Sequence, residues 1–172
     1  DLKENEKVTI DELQEGMIIV SANDGAAALA EKVAGSEEDF VDLMDKKARE
    51  LGLSTSVFYN ASGLPVGNVE NLMSTAELFK MTIHLIGNYP RVLDMSSKKT
   101  LVQADRQFNG PSTVPFIGNI QGVDGLKTGT TDKAGNCLIT TMKGSGNQGE
   151  EEFRTIGISI GANDKQVRND TM

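Results

Sequence analysis

Helical periodicity fills the first half of this chain and stops at Pro90, and no other feature restricts the fold as much. Before that point apolar residues recur at three- and four-residue spacing. After it Gly, Pro, Thr and Asn increase and β-prone runs take over. Helices first and strands later, inside one domain-sized length of 172 residues, imply an α+β fold with a helical cluster packed on an antiparallel sheet. The chain reads as one domain over 1–172, its helical part about 8–90 and its strand-rich part about 91–172.

Thr9-Ile10-Asp11-Glu12 has the spacing of a capping box and predicts a short helix ending near Gly16. The apolar run 17–20 leads into Ser21-Ala22-Asn23-Asp24-Gly25, where Asp24 is placed to cap the alanine-rich stretch 26–34 and Gly35 to end it. Ser21 and Asn23 are therefore expected in a tight turn between two helices. Residues 36–39 repeat the cap pattern, and Phe40, Met44, Ala48 and Leu51 form a stripe expected to be buried before Gly52 stops the helix. A loop rich in Asn, Ser, Gly and Pro covers 60–71. Ser74 and Glu77 then cap a helix to about Ile86. Its arc of Leu78, Phe79, Met81, Ile83, Leu85 and Ile86 implies deep burial, with Glu77, Lys80 and His84 on a solvated polar stripe. Residues 138–142 and 153–160 read as two strands of a hairpin, joined by a long exposed loop over 143–152.

Charge and composition exclude several classes. Seventeen basic against 25 acidic side chains give a net charge of -8, and no Lys/Arg cluster is present to neutralise phosphates, so nucleic acid is not an expected partner. With one cysteine, Cys137, there is no internal disulfide, and with one histidine, His84, no Cys/His set has metal-ligand spacing. No metal and no organic cofactor is expected. No apolar stretch approaches the roughly 20 residues a membrane helix needs, so a membrane anchor is expected only outside this chain. The opening D-L-K-E-N-E-K has neither the basic start nor the apolar run of a signal peptide.

Two short motifs carry chemistry. Val123-Asp124-Gly125-Leu126-Lys127-Thr128-Gly129-Thr130-Thr131 contains K-T-G on a predicted strand. A lysine there supplies a cation, a threonine a hydroxyl donor, and a glycine an absent side chain, so that a substrate backbone can lie along the strand edge. Those parts suit an anionic peptide terminus; a plain strand with a glycine bulge would spell the same letters. The second motif is Ser21-x-Asn23, whose hydroxyl can relay a proton and whose amide can grip a peptide carbonyl, or which can simply brace a turn.

Order and context of the two match the last two motifs of the serine β-lactamase and penicillin-binding set, in which S-x-x-K comes first. Beyond them, the chain resembles the D-Ala-D-Ala carboxypeptidase branch, the peptidase S11 family. The resembling stretches are I-I-V-S-A-N-D-G-A-A-A-L-A-E, L-M-D-K-K-A-R-E-L-G-L, F-Y-N-A-S-G-L-P, M-S-T-A-E-L, Y-P-R-V-L-D-M-S-S-K-K-T and G-V-D-G-L-K-T-G-T-T-D-K-A-G. The resemblance implies a β-lactamase/DD-peptidase-like fold and an acyl-enzyme mechanism that removes the terminal D-alanine from a peptidoglycan stem peptide ending in D-Ala-D-Ala. It further implies β-lactam antibiotics as ligands of the full-length protein and an extracytoplasmic location at the bacterial cell wall or the outer face of the cytoplasmic membrane. By position, Ser21 would shuttle a proton, Asn23 bind the substrate amide carbonyl, and Lys127 supply positive potential. Thr128 would donate to the terminal carboxylate, Gly129 would leave the edge open, and the Thr130 amide would form half of an oxyanion hole. Arg168 matches a family arginine near the carboxylate pocket.

The family's S-x-x-K, bearing the nucleophile, belongs several tens of residues before Ser21, where only 20 residues stand. The expectation is therefore a fragment lacking the N-terminal strands and the nucleophile helix, inactive by itself. Ser96-Ser97-Lys98-Lys99 spells S-x-x-K but falls after Ser21, within S-S-K-K-T, and is read as unrelated to catalysis. Ser145-Gly146-Asn147 spells S-x-N beyond K-T-G and is set aside. Two alternatives stay open: a serine β-lactamase, and a non-catalytic module that binds wall peptides along the K-T-G edge.

Overall fold

The computed structural model describes residues 2–144 and 152–172. Helices α1 (Ile10–Ile19), α2 (Asn23–Ala34), α3 (Glu37–Glu50), α4 (Thr75–Asn88), α5 (Arg91–Ser96) and α6 (Lys165–Asp170) accompany two antiparallel sheets. A hairpin of β1 (Thr100–Gln103) and β2 (Phe108–Pro111) forms one; β3 (Val123–Thr131), β4 (Gly135–Gly144) and β5 (Phe153–Ala162) form the other, in that order. Mixed helix and antiparallel sheet is the class expected. The chain divides into two compact units, residues 1–17 with 21–84 and residues 18–20 with 85–172.

In the first unit the capping signals hold. The Thr9 amide donates to Glu12 Oε2 at 2.7 Å while the Glu12 amide donates to Thr9 Oγ1 at 3.2 Å, the reciprocal pair of a capping box. Ser36 Oγ accepts the Asp39 amide at 3.0 Å and starts α3. Gly35, at φ 92°, closes α2 in the left-handed conformation that glycine adopts without a Cβ penalty. Helix α1, however, does not end near Gly16 but continues to Ile19. Gly16 costs the helix about 1 kcal/mol relative to alanine, and burial of Ile19, 1% exposed, is worth more than that. Small residues also let α2 start close by: a Cβ on Gly25 would sit 3.4 Å from the Leu13 carbonyl oxygen.

Ala48 is buried as expected, whereas Phe40, Met44 and Leu51 are half-buried and line, with Leu43, Leu53, Phe58 and Met81, an apolar pocket of about 330 Å³. The deep burial predicted for α4 is not found. Phe79 and Ile83 are 44% and 50% exposed, because the arc is wider than its neighbours cover, and the buried side chains of α4 are polar ones, Glu77 and Thr82. Glu77 therefore leaves the solvated stripe on which periodicity placed it, and His84 is half-buried. The cause is local: the Glu77 carboxylate accepts the Thr55 amide at 2.7 Å, the hydroxyls of Thr55 and Ser56, and the Ser74 hydroxyl at 3.0 Å.

In the second unit, β4 and β5 contain the predicted strands 138–142 and 153–160 and extend them to Gly135–Gly144 and Phe153–Ala162. Of their connection, 145–151 and with it Ser145-Gly146-Asn147 lie outside the described residues. Helical structure does not stop at Pro90: α5 follows it at once, and Asp164 Oδ1 accepts the Val167 amide at 2.8 Å to cap α6. Helix α5 packs on β3, and α6 on β4 and β5. Val114, Ile117 and Leu138 form the core of this unit, with Phe116 and Val123 against it.

Candidate functional site

Ser21 lies between α1 and α2 at φ 59°, a left-handed conformation uncommon for serine and enforced by the tight reversal between the helices. The Ala22 amide donates back to the Gly16 carbonyl at 3.0 Å, which locks that reversal. Asn23 is the first residue of α2 and is exposed. The turn is thus one residue shorter than read from sequence, and Asp24 caps nothing across the helix start: its carboxylate accepts the amides of Gly25 at 2.9 Å and Leu2 at 2.6 Å. Both Ser21 and Asn23 belong to the first unit.

Lys127, Thr128, Gly129 and Thr130 all lie on β3, an edge of the three-stranded sheet. Among the described residues only β4 flanks it, with Lys127 opposite Ile139, Thr128 opposite Leu138, Gly129 opposite Cys137 and Thr130 opposite Asn136. Gly129 is exposed, and a Cβ there would meet nothing within 4 Å. The edge is open at that point. The Lys127 ammonium donates to the Thr128 carbonyl at 2.8 Å, and burial, which penalises the charged form, lowers its pKa to about 8. A lysine so placed still carries charge at neutral pH and can give up a proton just above it. Thr130 Oγ1 donates to Asn136 Oδ1 at 3.2 Å.

Arg168, in α6, is 4% exposed and donates from Nε and Nη2 to Asn169 Oδ1 at 3.0 and 2.9 Å. Burial lowers its pKa, and the nearby Cys137, opposite Gly129, acts in the other direction. Helix α6, which carries Arg168, packs on β4 and β5.

Ser96 is not a nucleophile in waiting. It is 1% exposed, and its hydroxyl donates to the Asp124 carbonyl at 2.6 Å. Asp124, which the K-T-G spacing assigns no role, accepts at Oδ1 the Thr141 hydroxyl at 2.6 Å and Arg154 Nη1 at 2.7 Å. Sequence spacing cannot show this cluster, since its members lie up to 30 residues from Asp124. Among the described residues no set of His, Cys, Asp and Glu could hold a metal ion, and no helix is long and apolar enough to cross a membrane.

Comparison with known proteins adds a line of descent. The D-alanyl-D-alanine carboxypeptidase family, Peptidase S11, matches residues 1–162. The D-alanyl-D-alanine carboxypeptidase DacF of Bacillus subtilis is 34% identical over 98% of this chain and 42% of its own length. DacC of Escherichia coli is 33% identical over 97% of this chain and 40% of its own. The chain therefore spans about two fifths of the length of these relatives. Among solved structures, penicillin-binding protein D2 of Listeria monocytogenes, in its ampicillin-bound form, superposes with a TM-score of 0.84 at 36% identity, over 95% of this chain and 64% of that one. The helix-and-sheet architecture and the sequence match agree, and this chain belongs to the D-alanyl-D-alanine carboxypeptidase family, peptidase S11.

Proposed function

We propose that these residues are the peptide-carboxylate-binding part of a serine D-Ala-D-Ala carboxypeptidase, whose nucleophile is carried on an S-x-x-K segment outside the 172 residues. The observation that carries this reading is the K-T-G strand: a cation, a hydroxyl donor and a bare glycine in sequence along the open edge of an antiparallel sheet. An extended peptide can add to such an edge by main-chain hydrogen bonds. Its terminal carboxylate then meets Thr128, with the positive potential of Lys127 and Arg168 beside it. The amide of Thr130 donates to the oxyanion that forms when a serine attacks the scissile carbonyl, D-alanine leaves, and water releases the shortened peptide. Ser21 passes a proton to the leaving amine and Asn23 holds the substrate's amide carbonyl. The substrate is a peptidoglycan stem peptide, the place of action is outside the cytoplasmic membrane, and β-lactams bind along the same K-T-G edge in the full-length protein. The ampicillin held by the Listeria relative supports that last point.

Labelling with a fluorescent penicillin tests the reading. The 172-residue chain alone should give no stable labelled band. A chain extended to include S-x-x-K should be labelled, and Lys127→Ala in it should slow labelling by about a hundredfold or more, as expected for removal of a charge at the reacting centre. A stable band from the short chain, or none from the extended one, overturns the proposal.

A further inference from the structure

An edge strand is held from one side only, and the ladder that holds β3 is interrupted: its register on β4 shifts between Val123 and Gly125, just ahead of Lys127. A binding edge nevertheless has to stay within about half an ångström of one line to present its donors productively. Asp124 occupies the interruption. Its carbonyl takes the Ser96 hydroxyl of α5 at 2.6 Å, and its carboxylate takes the Thr141 hydroxyl of β4 at 2.6 Å and the Arg154 guanidinium of β5 at 2.7 Å.

We propose that Asp124 is a positioning residue for the K-T-G edge. Gripped by three elements at the point where the ladder fails, it fixes the line along which Lys127, Thr128 and Gly129 meet a peptide carboxylate. The inference rests on the reading of that edge given above. The two hydroxyl anchors dominate, because Ser96 and Thr141 are 1% and 0% exposed and water does not compete for their bonds. The ion pair, with side chains 22% and 26% exposed, is partly screened and adds less. Gly125 permits the close packing: a Cβ there would lie 2.5 Å from Ser96 Oγ, so only glycine lets α5 approach this closely.

Amide hydrogen exchange on the isotope-labelled 172-residue chain reads the order of the edge, and titration with an N-acetylated tripeptide ending in D-Ala-D-Ala reads its use. Asp124→Asn and Thr141→Val should each raise exchange over 126–130 by about tenfold while 156–159 stays protected. Both should weaken the tripeptide by a similar factor. Thr141→Ser keeps the hydroxyl and should restore both readouts. Unchanged exchange over 126–130 in both variants overturns the proposal, as does a loss spread evenly over β4 and β5, which would make Asp124 an ordinary stabilising residue. Should Asp124→Asn fail to fold, the Thr141→Val and Thr141→Ser pair decides. Should the unmodified chain not bind the tripeptide, the reading of the edge as a carboxylate site falls, and the exchange pattern still decides the role of Asp124.

Discussion

The two units are held together by different means. The second has a continuous apolar core around Val114, Ile117 and Leu138, with strands laid across it. The first buries mostly small or polar side chains: Ala26, Ala30 and Ala48 beside Asn60, Glu77 and Thr82. Its loops are tied by single side chains that collect several bonds. Asn60 Oδ1 accepts the Gly63 amide at 2.6 Å and its amide group donates to the Leu64 carbonyl at 2.6 Å, while Asn71 Oδ1 accepts the Tyr59 amide at 2.7 Å. The difference teaches that an apolar arc on a helix measures what the helix can bury, and hydrogen-bonded knots can hold a unit in which Leu53 is buried while most other large apolar side chains stay half open.

The comparison breaks first at Leu138. Leu138→Ala removes a side chain 1% exposed from the centre of the core and should cost about 3 kcal/mol in urea unfolding. A cost below about 1 kcal/mol would mean that the second unit has no tighter core than the first. Gly125→Ala comes next. The new methyl would press on Ser96 Oγ at 2.5 Å and Thr141 Oγ1 at 3.2 Å, a loss of about 1 to 3 kcal/mol by thermal melting.

Acid and alkali should separate the units in opposite senses. Hydrogen bonds from the Thr55 hydroxyl and amide, with those of Ser74, hold Glu77 at about 2, below the ordinary 4.5. A carboxyl depressed in the folded state stabilises it above pH 4.5, and that stability is lost as pH falls towards 2. Exchange protection of α4 should drop across that window, and Glu77→Gln should flatten the dependence. Lys127 is depressed to about 8 from 10.5 by burial. Between those values the unfolded chain holds the extra proton, so the stability of the second unit should rise as pH climbs from 8 to 10.5, and Lys127→Met should abolish the rise. The smallest effect is expected at Leu43, 44% exposed at the rim of the apolar pocket. Leu43→Gln should shift stability by less than about 0.5 kcal/mol in the same urea assay, and a larger loss would make the pocket wall a true core.

Much of this was legible in the sequence, wherever a signal was local. Thr9 with Glu12, Ser36 with Asp39 and Gly35 after α2 each act within a turn of the helix they begin or end, so spacing alone finds them. Strands β4 and β5 were legible from their β-branched runs, and K-T-G was correctly expected on a strand. Helix α5 and the β1–β2 hairpin were missed because six- and four-residue elements are too short to show a period. The burial of Glu77 was missed because its partners Thr55 and Ser56 come from a loop 22 and 21 residues away. For the candidate site, residue types pointed to the edge of β3, while the cluster around Asp124 depends on strand register, which no single segment encodes.

Gly129 leaves one consequence. The backbone there needs no left-handed conformation, and a methyl group would meet nothing within 4 Å among the described residues. Folding is therefore indifferent to alanine at this position. A Gly129→Ala chain that melts normally yet no longer accommodates a peptide would report on the visitor alone, which makes this residue the cleanest place to separate what the molecule needs to exist from what it needs to work.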